Sequence, residues 1–209
     1  VVVFRTGVKN KYAPTTALAV LIALFSQQAN AEPECAEAVR ALIQGSPSLE
    51  SPVRSRSTTT MAGGQTMVTL GLTEGRNHLS MDEKGNPLSL FRNDKFYTTA
   101  DNGESWTLVQ TYSKEVMEQT RDGLATQAEN ARNITCQYKV DLDGKTVNHY
   151  SVDYAIHNTG TPVHSEYWVD TESGFAWKSL TITDPGGNEI VIEQISEPAP
   201  GQTPPDPDG

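Results

Sequence analysis

Short alternating segments, cut by glycine-centred turns, constrain this chain more than any other feature. From Val53 to Val109 the turns are Ala62-Gly63-Gly64, Thr73-Glu74-Gly75, Glu83-Lys84-Gly85-Asn86 and Asp101-Asn102-Gly103. The segments between them alternate polar with apolar residues, the pattern of half-buried strands joined by hairpins. The same pattern returns from Asn133 to Ser196. Between the two blocks, Ser113 to Arg132 loses the alternation. Val116, Thr120, Leu124 and Ala128 recur there at helical steps, with Ser113 placed to cap and Gly123 interrupting the stripe. Ahead of both blocks, Cys35, Ala38, Val39, Leu42 and Ile43 share one helical face, with Pro33 at its start and Gly45 after its end. The order is helix, about five strands, helix, about five strands. It predicts an α+β domain: a curved antiparallel sheet of about 10 strands, a half-barrel, covered by two helices.

The ends of the chain read differently. Val1 to Ala13 carries Arg5, Lys9 and Lys11 and no acid; Ala17 to Phe25 is wholly apolar; Ala29 and Ala31 occupy small-residue cleavage positions. That grammar predicts a signal peptide over residues 1–31 and a periplasmic or secreted destination. The apolar run is far short of the roughly 20 residues a spanning helix needs. The domain is expected over 32–196, and the proline-rich, acidic stretch 197–209 is expected to be disordered. Removing the leader's three basic residues takes the formal charge from −10 to −13. So acidic a surface should repel nucleic acid and anionic headgroups, and the expected state is a monomer. The two cysteines, Cys35 and Cys136, predict one disulfide in an oxidising compartment. Glu32-Pro33-Glu34 ahead of Cys35 do not fit a lipidation motif, so the disulfide is preferred to a lipid anchor or a free thiol.

The turn at Asn158-Thr159-Gly160-Thr161 invites a register. A two-residue loop pairs Tyr150 with Val169, Val152 with Tyr167, Tyr154 with Ser165 and Ile156 with Val163. One face then gathers Tyr150, Val152, Tyr154, Ile156, Val163, Tyr167 and Val169. These residues either line a ligand cavity or form ordinary core, and a curved sheet uses the same face for both. On the other face that register makes His157 and His164 diagonal neighbours and sets Asp153 opposite Glu166. Those four are the candidate metal ligands, the alternative being a solvated outer surface. His149 lies too far along the strand from His157 to join them. No G-x-S-x-G, P-loop, dinucleotide-binding glycine motif, H-E-x-x-H or C-x-x-C is present, so no enzyme activity and no cofactor are expected.

Asn86–Trp106 (NPLSLFRNDKFYTTADNGESW) reads strand, turn, strand, then a glycine turn before tryptophan. Ser165–Ile182 (SEYWVDTESGFAWKSLTI) reads a tryptophan-aspartate strand, a glycine turn and a following strand. With the helix that follows the signal sequence, these segments resemble the periplasmic lipoprotein-carrier and mycobacterial lipid-binding superfamily, the LolA/LppX-like fold. The resemblance implies an exported single domain whose half-barrel wraps helices and leaves an apolar cavity for a lipid or lipoprotein acyl chain. No ligand-contact residue of that family falls at a matching position. Two other readings stay open: an envelope structural or protein-interaction domain with a filled core, and a metal-binding protein using the histidine face.

Overall fold

A computed structural model describes residues 32–45 and 51–207. The expected signal peptide, residues 1–31, lies outside the described residues. Helix α1 spans Pro33–Ile43 and α2 spans Lys114–Glu129. The first block forms β1 (Val53–Met61), β2 (Thr66–Glu74), β3 (Asn77–Met81), β4 (Pro87–Arg92), β5 (Lys95–Thr98) and β6 (Thr107–Thr111). After α2 come β7 (Arg132–Leu142), β8 (Lys145–Ala155), β9 (Pro162–Asp170), β10 (Ala176–Thr183) and β11 (Ile190–Pro198).

All eleven strands join one curled, unclosed sheet in the order β6-β5-β4-β3-β2-β1-β11-β10-β9-β8-β7, and neighbouring strands are antiparallel. The chain lays down β1 to β6 outward by hairpins, restarts at the far edge with β7, and returns to place β11 beside β1.

The sheet carries two apolar clusters, and they lie on opposite faces. In the first, Val39 and Ile43 of α1 and Ala128 of α2 pack on Tyr150, Val152 and Val169. In the second, the cross-strand neighbours Leu72, Leu79, Leu90 and Tyr97 pack with Ala199, and Met81 and Trp106 border them. Pairing traces the first face from Tyr150 through Tyr167, Ser179, Gln194 and Ser57 to Thr69. Leu72 lies three residues beyond Thr69 on β2, an odd step along a strand, and so points the other way.

The segment expected to be disordered supplies the cover for that second face. Ala199 and Pro204 are buried. The Ala199 N–H donates to the Pro52 carbonyl at 2.7 Å, and Thr203 Oγ1 donates to Glu74 at 2.5 Å. Arg92 Nη1 donates to the Pro204 carbonyl at 3.1 Å. Proline lowers the entropy lost on ordering, and the Leu/Tyr face gives the tail an apolar surface to bury.

The β8–β9 register also differs from the sequence expectation. Tyr150 pairs with Tyr167, Val152 with Ser165 and Tyr154 with Val163, a shift of two residues. The loop is longer than two residues: the Ile156 N–H donates to the Thr161 carbonyl at 2.9 Å, and the Gly160 N–H to the Ile156 carbonyl at 2.8 Å. Gly160 makes that closure with φ at 68°. A two-residue slip keeps every side chain on its face, because the period is 2. It does remove Ile156 from the ladder and leaves it 37% exposed.

Candidate functional site

Cys35 at the start of α1 is bonded to Cys136 on β7, fastening the helix to the sheet's edge strand. At a sequence separation of 101, the chain-entropy model gives about 4–5 kcal/mol for such a closure. The two helices pack on each other, α1 also on β7 and β8 and α2 on β8. Beneath them Tyr150, Val152 and Val169 are buried, and Tyr154 and Tyr167 are partly buried against the same cluster. Val163 is buried farther along the same face. Burial, with Tyr154 alongside, pushes the Tyr167 phenol up to about 12, so it stays neutral and can only share hydrogen bonds. Tyr154 Oη lies 3.4 Å from Ser165 Oγ, which in turn lies 3.3 Å from Thr181 Oγ1.

Helix α2 is thinly docked. The Ser113 hydroxyl accepts from the Val116 N–H at a long 3.4 Å, and Ala128 is the one fully buried residue along its 16. Two open clefts flank the β8–β9 turn beside it. One of about 460 Å³ is lined by Glu129, Ala131, Arg132, Ile156 and His157. The other, about 190 Å³, lies among Thr120, Gly123, Leu124, Gln127, Ile156 and His157. A third cleft of about 600 Å³ opens at the ends of β8, β9 and β10 among Arg132, Asp153, Tyr154, Val163, His164 and Ile182.

Away from the helices, the same face is polar. Gln194 accepts from Ser57 Oγ at 3.1 Å and donates to Ser196 Oγ at 3.2 Å. From β5 to β11 the paired residues are Thr98, Ser89, Ser80, Gly71, Ser55 and Ser196 in one row. The sequence contained this signal, since these positions alternate with the Leu72, Leu79 and Leu90 set. Only the register shows that the hydroxyls stand side by side.

The outer face of β8 and β9 carries a chain of histidine and carboxylate side chains. His149 Nε2 lies 2.6 Å from Glu166 Oε2, and Glu166 Oε1 lies 3.5 Å from His164 Nε2. His164 Nδ1 sits 2.7 Å from Asp153 Oδ1, and the Asn133 amide donates to Asp153 Oδ2 at 2.7 Å. Burial opposes the Asp153 charge, but the hydrogen bonds from Asn133 and His164 outweigh it and hold the carboxyl below its ordinary range. His149 also stacks on Trp168 at 4.7 Å, and Lys178 lies over the same indole at 5.2 Å. The observed register opposes Asp153 to His164 and Glu166 to Ser151, which removes the carboxylate clash of the expected one. His157 is not part of this chain of contacts; it sits in the turn against Gly123. His149, set aside in the sequence reading, joins Glu166 instead. Among the described residues no three His, Cys, Asp or Glu side chains converge as a metal ion requires.

The sequence matches no protein-family model and no curated protein. The structure is similar to lipoprotein LppX of Mycobacterium tuberculosis, with 13% identity, 78% of this chain and 94% of that one covered, and a TM-score of 0.46. It is also similar to a LolA superfamily protein from Nitrosomonas europaea, at 10% identity over 82% and 94% of the two chains, with a TM-score of 0.32. For the hypothetical lipoprotein YmcC of Escherichia coli the values are 10%, 81%, 99% and 0.24.

Proposed function

We propose that this chain is an exported, non-enzymatic binding protein that takes the acyl part of a lipid or lipoprotein between α2 and the Tyr/Val face of β8 and β9. The observation that carries this reading is the docking of α2, a 16-residue helix with one fully buried residue. An element with so little buried apolar surface opens at low cost. Two clefts already run beside it, with the exposed apolar side chain of Ile156 between them. Val152 is fully buried beneath the helices, so the acyl chain enters by displacing α2 rather than by filling a standing cavity. Burial at about 25 cal/mol per Å² supplies the affinity without a specific polar partner. Tyr154, Tyr167 and Ser165 offer hydroxyls at the inner end of the path.

Anilinonaphthalene sulfonate binding to the folded protein tests this. Saturable binding that palmitate displaces is the expected result. A probe signal that never saturates, or that palmitate leaves unchanged, would remove the carrier reading and leave a filled-core interaction domain.

A further inference from the structure

The second apolar cluster shows how the sheet binds a proline-rich segment, because one lies on it. The tail leaves β11 and turns at Gly201, which has φ at 77°. It then crosses the ends of β2 and β4, with Thr203 bonded to Glu74 and Pro204 buried beside Arg92. Arg92 serves it twice: Nη1 donates to the Pro204 carbonyl at 3.1 Å, and Nη2 lies 3.6 Å from the Asp206 carboxylate. A buried proline and an arginine on its backbone carbonyl are parts from which proline-recognition grooves are built, and the apolar cluster that Ala199 joins contains Tyr97 and is bordered by Trp106.

The fit is incomplete. Arg92 Nε is buried with no hydrogen-bond partner among the described residues. A buried donor left unpaired is costly, and an occupant that offers it a carbonyl relieves that cost. The tail is therefore a serviceable occupant and not the best the groove can hold.

We propose that the groove between Glu74 and Arg92 is a recognition site for a proline-rich, acid-bearing peptide segment of another molecule, closed in the resting chain by its own residues 199–207. The charge supports this choice of partner, since the groove's arginine meets a carboxylate two residues after the buried proline. The tail competes at the high effective concentration that tethering gives, so a free segment gains entry only when it is better matched or locally abundant. This site is on the opposite face from the acyl path and does not depend on it.

The test uses the full chain and a fluorescent peptide of sequence APGQTPPDPDG, the chain's own residues 199–209. A variant carrying P204G and D206N should release the tail, and cleavage by proteinase K at Gly201–Gln202, read by mass, confirms the release. The peptide should bind the released chain saturably and the wild-type chain about tenfold or more weakly, as expected for competition with a tethered occupant. Adding R92A to the released chain should abolish binding. In the wild-type protein, excess unlabelled peptide should speed cleavage of the resident tail. Equal binding to both chains overturns the proposal. So does absence of binding to a chain whose tail is shown to be free, or binding that survives R92A. Should the released variant fail to fold, unchanged tail cleavage in peptide-treated wild type overturns it by itself.

Discussion

Gly71 has no room for a side chain: a Cβ there would sit 2.6 Å from Ser55 Oγ and 2.9 Å from His78 Cε1. The strand can thus bring His78 into the hydroxyl row, where Nδ1 lies 2.8 Å from Thr73 Oγ1 and Nε2 lies 3.1 Å from Ser80 Oγ. Burial lowers the His78 pKa below its ordinary value. The unfolded chain therefore takes up a proton first as pH falls. Stability from the neutral ring is in full above about pH 6.5 and is lost as pH drops through the lowered folded value. We expect H78Q to flatten this part of the pH profile in urea titrations between about pH 5 and 7; an unchanged slope would place the dependence elsewhere. At this scale the sequence was partly legible. The two cysteines pointed to one bond, which is present, whereas the close approach at Gly71 went unread. That Ser55 and His78 were what approached depended on strand register, which no local residue pattern contains.

The two helices differ in what holds them. Helix α1 is short, but it places Cys35, Val39 and Ile43 on one buried stripe and is tied to β7 by the disulfide. Helix α2 is longer and lacks both advantages. In native-state hydrogen exchange the α2 amides should therefore exchange well before those of α1 and β8. Protection of α2 equal to that of β8 would contradict the opening on which acyl entry depends. The thin stripe at Val116, Thr120, Leu124 and Ala128 made this contrast readable from sequence. The β8–β9 hairpin was less readable. Asn158-Thr159-Gly160-Thr161 marks a turn but not its length, and the apolar face of Tyr150, Val152 and Tyr154 is equally satisfied by registers two residues apart. Face membership within the ladder was thus legible while partners were not, and His157, expected beside His164, lies in the turn against Gly123 instead.

One sheet with cores on opposite faces behaves differently from one built around a single interior. Ile43 belongs to the helix-covered cluster and Leu90 to the tail-covered one. Each change to alanine should cost about 2–5 kcal/mol, and the double variant should equal the sum within about 0.5 kcal/mol, since the clusters share no residue. A coupling well above that, in denaturant titrations of the two single variants and the double, would show the cores to be continuous. Composition could not reveal this division, because a proline-rich acidic tail reads as disorder until an apolar face is known to await it. The two ends of the sheet share one feature. Strand β7 is irregular, with register shifts and left-handed backbone at Asn133 and Lys139, features that discourage further pairing. Strand β6 is irregular too: its pairing with β5 shifts register and skips Val109, and it is short and uncharged, with Leu108 and Val109 half or more exposed. Considered as a unit of assembly, the molecule has no open valence. Both edges are blunted by irregular strands, so the sheet neither pairs with a second copy nor runs on into a fibre. Sedimentation at rising concentration should show a monomer throughout, and a concentration-dependent dimer would show that one edge still pairs.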